Sequence, residues 1–170
     1  IHLVGNVMID SLRQNLPRAL RRATLQQFGL DPGNYALMTL HRPSNVDAPS
    51  QFESLLSTVA ELSDELPVLF PVHPRTAARL ELSPGLSARL AASPKFIMAP
   101  PLSYLDCLCA SAQARMVLTD SGGLQEESTA LGVPCLTLRE NTERPITVEL
   151  GTSTLVGHDD QLLCDAFRSV

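Results

Sequence analysis

Long apolar runs are missing from this sequence. Each apolar stretch is soon broken by Pro, Gly or charge, so no segment is expected to span a membrane. Basic runs are missing too. Lys and Arg total 13 against 18 Asp and Glu, for a formal net charge of −5, and they are scattered, so nucleic acid is not an expected partner. The four cysteines, Cys107, Cys109, Cys135 and Cys164, lack paired metal-ligand spacing; they read as helix or core residues and suit the reduced cytoplasm. No GxGxxG follows a strand-like run and no GxxxxGK[ST] occurs, which disfavours the usual dinucleotide and ATP sites. There is no internal repeat and no low-complexity tract. The opening residues, IHLVGNVMID, have neither the basic start nor the long apolar stretch of a secretory signal; they read directly as a strand, so a piece of a longer protein is expected.

What is present is alternation. With 170 residues, 44% of them hydrophobic, the chain is long enough for one domain, 1–170, with a real core. Short apolar runs at 2–4, 35–40, 68–72, 95–98, 115–119, 135–137 and 154–156 read as strands. Amphipathic stretches lie between them. The clearest is SQFESLLSTVAELSDEL, where Phe52, Leu55, Leu56, Val59, Leu62 and Leu66 make one apolar stripe. Pro17 is expected to break or restart the first helical region and Gly29 to end it. YLDCLCASA reads as a further helix, and Gly132 with Pro134 should end the helix begun by GGLQEESTAL. Strand–helix alternation implies an α/β fold, a parallel sheet with helices on both faces. Such sheets bind ligands outside the carboxyl ends of their strands. LHRPSN, HPRT, APPLSY and DSGG, each directly after a strand, should therefore share one edge.

DSGG carries the most chemistry. Gly122 and Gly123 have no β-carbon, so the backbone can approach a ligand closely. The first turn of the following helix offers free N–H groups and partial positive charge, which suit a phosphate, and the Ser121 hydroxyl can add a bond. The same residues also suit a plain strand-to-helix turn with Ser121 or Asp120 as N-cap. Two carboxylates follow at once. Adjacent helical residues point about 100° apart, so Glu126 and Glu127 cannot both face one ligand. One can complement the helix dipole from the solvent side. The other can reach past a phosphate and accept both hydroxyls of a ribose. A nucleoside diphosphate satisfies both halves of the motif. His41–Arg42 in TLHRPSN suits an anion, by the guanidinium fork and an imidazole donor or acid/base. His73 and Arg75 in PVHPRT repeat the theme. Glu143–Arg144 in NTERP also reads as an ordinary surface ion pair. His2 and His158 read as structural or exposed.

VGNVMID, TLHRPSNVD, PVHPRT, PLSYLDCL, LTDSGGLQEESTALGVPCLTLRENTERP and GTSTLVG occur in an order that resembles the non-hydrolysing UDP-N-acetylglucosamine 2-epimerases. The resemblance covers nearly the whole chain and implies one half of a GT-B architecture, the Rossmann-like second domain that grips UDP, with the family's N-terminal domain outside this chain. It implies that Ser121, Gly122 and Gly123 hold the diphosphate and that Glu127 takes the ribose hydroxyls. Arg144 and His41 would line the nucleotide–sugar site, His41 as the catalytic candidate. Leu102 and Cys107 would contact uracil, although a cysteine cannot stack on a ring. His73 and Arg75 would lie near a second, activating UDP-GlcNAc. The implied reaction inverts C2 of UDP-GlcNAc to give UDP-ManNAc through elimination and re-addition of UDP, with no metal and no redox cofactor. The family's proton-transfer carboxylates belong to the first domain, so this chain alone is expected to be inactive; a homodimer is compatible with the resemblance. Ser44, Ile146 and Ser153 depart from the family pattern, each expected to remove a polar partner from the cleft side. Two other readings remain: a non-catalytic nucleotide-sugar-binding module, favoured by those departures, and a GT-B glycosyltransferase domain, which the TERP and HRP motifs oppose.

Overall fold

A computed structural model of the protein describes His2 and residues 5–170. The strand expected over 2–4 rests on residues 3 and 4, which lie outside the described residues. The other six strand runs form β1 (Ala36–Thr39), β2 (Val68–Pro71), β3 (Phe96–Ala99), β4 (Met116–Thr119), β5 (Cys135–Thr137) and β6 (Ser153–Leu155). They make one sheet in the order β3-β2-β1-β4-β5-β6, and every pair is parallel.

A parallel sheet covered on both faces needs strands that are apolar on both sides. MVLT in β4 is buried throughout, and alternate residues serve opposite layers. Met38, Phe70 and Leu118 face a core closed by α4 (Pro49–Leu62), α6 (Pro84–Ala92) and α10 (Asp160–Ser169), through Phe52, Leu90 and Phe167. Leu37, Leu69 and Val117 face the other layer, with Leu25 of α2 (Thr24–Gln27), Ala110 of α7 (Tyr104–Ala112) and Leu124 of α8 (Gly122–Leu131). α1 (Val7–Ala19) lies outside that second layer, where Leu12 and Ala19 meet Leu108 and Cys109. No helix among the described residues is long and apolar enough to cross a membrane.

Pro17 does not break the first helix, contrary to expectation. It sits within the last turn of α1, exposed, and the helix ends two residues later. A proline there removes one hydrogen bond near the end, while Leu12 and Ala19 on either side stay buried against α7. Gly132 caps α8 with φ +72°, a left-handed turn that glycine adopts without strain. The start of α7 is pinned from α1–α2. Arg22 donates to both oxygens of Asp106, at 2.8 and 2.9 Å, and Thr24 donates at 2.7 Å. These bonds, Arg22 first and then Ser103 and Thr24, hold Asp106 well below the usual carboxylate range.

A candidate nucleotide site at the carboxyl edge

The chain leaves β1 outward through β2 and β3, then returns to place β4 on the other side of β1. The connections that leave β1 and β4 therefore part at the switch point, the place where such sheets receive ligands. His41 lies just past β1 and Asp120 directly past β4. The two strand ends are tied by Thr39 Oγ1 and Thr119 Oγ1 at 2.6 Å. Asp120 is fully buried. Its carboxylate accepts from His41 Nδ1 at 2.9 Å, the His41 backbone N–H at 3.0 Å, the Arg42 backbone N–H at 2.7 Å and Asn45 Nδ2 at 3.2 Å. Burial alone would raise its pKa. The His41 ring and the two backbone donors outweigh burial and bring it below the ordinary value. A carboxylate partner makes Nδ1 the protonated nitrogen of His41, so Nε2 is the one left for a ligand.

α8 starts at Gly122 with Ser121 as N-cap. The Ser121 Oγ accepts from the Leu124 N–H at 3.4 Å, which leaves its proton free to donate. The two glycines have different reasons. A side chain at Gly123 would come within 3.0 Å of Met8 Cε, the flexible end of an exposed side chain on α1 that would have to shift. A side chain at Gly122 would meet Glu143 Oε2 at 3.6 Å and Arg144 Cγ at 3.8 Å, ordinary contact only. Gly122 is thus not required for packing.

The two glutamates diverge as expected, but Glu126 is not on the solvent side. Its side chain is 18% exposed and pairs with Arg144 Nε at 3.2 Å, an ion pair without hydrogen-bond alignment. The reason is the NTERP loop, which folds over α8: Thr142 Oγ1 donates to buried Gln125 at 2.6 Å. Glu127 is half-buried, and burial pushes its pKa up. Cys107 is half-buried at the start of α7, its thiol raised by burial and then by the charge of Glu127, which places the two near each other. Leu102 packs on the core layer behind them.

His73 comes to His41, ring centroids 5.4 Å apart. Its Nδ1 accepts from the Arg75 N–H at 3.2 Å and caps α5 (Pro74–Glu81). Arg75 turns to Asp47, Nη2 to Oδ2 at 2.6 Å. Of the three departures, Ser44 in α3 (Pro43–Val46) and Ile146 in α9 (Ile146–Glu149) are exposed. Ser153 is not on the cleft side. It is buried at the amino end of β6, in register with Cys135, because the strand that follows Thr152 begins there. Arg42, expected in the sequence as half of an anion-suited His–Arg pair, and Arg139, which the sequence did not single out, flank Glu143, at 3.6 and 3.1 Å. Arg139 has no motif of its own, and only its place two residues past β5 puts it there.

A sheet of this order, with a glycine-opened helix beside its switch point, defines a Rossmann-like domain that receives ligands at its carboxyl edge. More narrowly, the chain belongs to the UDP-N-acetylglucosamine 2-epimerase family, whose model matches residues 1–170. It is 38% identical to the UDP-N-acetylglucosamine 2-epimerase of Methanocaldococcus jannaschii over 98% of this chain and 46% of that protein. The crystal structure of the Methanocaldococcus jannaschii UDP-GlcNAc 2-epimerase in complex with UDP-GlcNAc and UDP superposes with a TM-score of 0.90 at 38% identity, over 99% of this chain and 47% of the other. That of the Neisseria meningitidis UDP-GlcNAc 2-epimerase bound to UDP-GlcNAc gives 0.84 at 28% identity, over 98% and 46%. The chain spans about half the length of the curated relatives it matches.

Proposed function

We propose that residues 1–170 are the UDP-gripping domain of a cytoplasmic enzyme that interconverts UDP-GlcNAc and UDP-ManNAc. The observation that carries the reading is the first turn of α8, opened by Gly122 and Gly123, beside the buried Asp120–His41 pair at the switch point. The diphosphate lies on Ser121, Gly122 and Gly123, where amide N–H groups and the Ser121 hydroxyl converge. Glu127, the carboxylate not spent on Arg144, takes the ribose. Leu102 and Cys107 border the base, and His41 Nε2 and Arg144 face the diphosphate and sugar. His73 and Arg75 adjoin this site and would receive the second nucleotide sugar. In the reaction a base removes the C2 proton, the C1–oxygen bond to UDP breaks, and UDP then adds back to the glycal with the proton returned on the other face. This chain holds the leaving diphosphate, whose developing charge needs fixed donors. The proton-transfer groups come from the family's other domain, the partner across the cleft, and the whole protein would pair as a homodimer.

Calorimetry with UDP tests the site. Gly122→Ala adds a methyl group where only ordinary contacts await it. It should melt like wild type yet bind UDP clearly more weakly. Glu127→Gln should lose roughly 1.5–3 kcal/mol of UDP binding, the worth of hydrogen bonds to a charged group, and lose far less with 2′,3′-dideoxy-UDP. Unchanged UDP affinity in both variants would refute the placement. Incubated alone with UDP-GlcNAc in deuterated water, the chain should leave C2 undeuterated; steady incorporation would put a catalytic base within these residues.

A further inference from the structure

Glu143 is the acidic half of the NTERP pair, and the proposed site leaves it without a role. Its carboxylate stands between two strands' ends. Arg139 Nη2 lies 3.1 Å from Oε1, Arg42 Nη2 lies 3.6 Å from Oε2, and Oε2 bounds the space over Gly122. An internal anion thus occupies the corner where guanidinium groups meet the first turn of α8. Arg139 is only 13% exposed, and its Nη1 is buried without a partner, as is Nε of Arg42. One carboxylate with two oxygens does not use the donors gathered here. A diphosphate, with more acceptor oxygens and more charge, uses more of them.

We propose that Glu143 is an exchangeable counter-anion: the ligand's diphosphate displaces its side chain and takes over Arg42 and Arg139, which thereby become ligand-binding residues. The inference rests on the phosphate placement above. The exchange needs no rebuilding of the loop. Thr142 is bonded to Gln125, and the Arg144 N–H donates to Thr142 Oγ1 at 2.9 Å, so the backbone on both sides of Glu143 stays anchored while one exposed side chain swings out. The swing gives up pairs weakened by the 54% exposure of Glu143, and the diphosphate oxygens replace them at Arg139 and Arg42. A general acid is a poor alternative for Glu143. The hydrogen bond from Arg139, then the charges of Arg139 and Arg42, hold it below the usual carboxylate range and keep it ionised.

The test has an unusual sign. Titrate wild type, Glu143→Gln and Glu140→Gln with UDP, inorganic pyrophosphate and uridine by calorimetry, with circular dichroism to confirm the fold. Glu140 is an exposed neighbouring carboxylate outside the arginine pairs. Glu143→Gln should bind UDP and pyrophosphate roughly two- to fivefold more tightly, the scale of exposed ion pairs, and uridine no differently. Glu140→Gln should gain much less. An equal gain in Glu140→Gln would reduce the effect to general charge and overturn the exchange. So would weaker or unchanged pyrophosphate binding by Glu143→Gln, while wild-type UDP binding that still depends on Gly122 would leave the phosphate placement standing. Wild type that binds neither UDP nor pyrophosphate overturns both. Should Glu143→Gln misfold, Glu143→Ser answers the same question.

Discussion

Asp120→Asn isolates the central pair of the site. Oδ2 accepts from the backbone of His41 and Arg42 and from Asn45, while Oδ1 faces His41 Nδ1. An amide fits only one way round. Its oxygen must take the place of Oδ2, where three donors point, so its NH2 group faces Nδ1. His41 then has to accept at Nδ1 and carry its proton on Nε2. Four bonds fall from the charged to the neutral class, at about 1 kcal/mol each. Relief from burying a carboxylate offsets part of this, leaving a net loss of roughly 2 kcal/mol. For a domain of this size that lowers Tm by about 4–8 °C. The folded-state pKa of Asp120 is depressed, so its stabilisation is complete above the ordinary carboxylate range and is lost as pH falls through the lower folded value. The Tm gap between wild type and variant should hold steady above about pH 5 and close only below the usual carboxylate pKa near 3.9. Melting curves across pH and long-range 1H–15N spectra of the His41 ring read both effects. A variant with wild-type Tm, or an Nε2–H tautomer already present in wild type, would refute the reasoning. UDP affinity should survive the change, because the Nε2–H that the variant acquires can donate to phosphate.

Glu127 should show the opposite pH behaviour. Burial raises its pKa, so its ionised form weakens the fold; the penalty is absent below the unfolded-state pKa and fully present above the folded one. Glu127→Gln should therefore raise Tm at pH 7 and leave it unchanged near pH 3, and equal shifts at both would count against a buried charge. Gly151→Ala should destabilise, since a β-carbon there would lie 2.5 Å from the Thr147 carbonyl and 2.7 Å from Thr129 Oγ1. Overpacking of this kind costs about 1–3 kcal/mol, which chemical denaturation would register, and wild-type stability would mean that the α9 turn gives way freely.

The strands were legible because parallel strands buried on both sides are short apolar blocks cut by Pro or Gly; among the described residues 135–137 was legible to the residue and the others to within one at each end. YLDCLCASA was legible as a helical stretch, and GGLQEESTAL by its ends, Ser121 before it and Gly132 after. Pro17 misled because a local rule met tertiary packing: buried Leu12 and Ala19 hold the helix through it. The edge proposed to receive the ligand could be read from topology alone. Its internal pairing could not. Asp120 meets His41 across 79 residues because β1 and β4 are neighbours, and Glu143 meets Arg42 across a longer span because β5 in turn lies beside β4. Glu126 was misplaced for the same reason, since nothing in the helix predicts that the NTERP loop brings Arg144 over it.

The ion pairs at this edge bear on how fast a nucleotide arrives. Arg42, Arg139 and Arg144 stand among four carboxylates, Asp120, Glu126, Glu127 and Glu143, on a chain of formal net charge −5. Such a surface has no long-range pull on an anion. Encounter should then proceed near the unsteered rate of about 10⁵–10⁶ M⁻¹s⁻¹, with little response to ionic strength. Arg42 and Arg139 exert their charge only after contact, as Glu143 gives way. Selectivity for a diphosphate over other anions is therefore expressed in residence time, which stopped-flow mixing at low and high salt can separate from the rate of arrival.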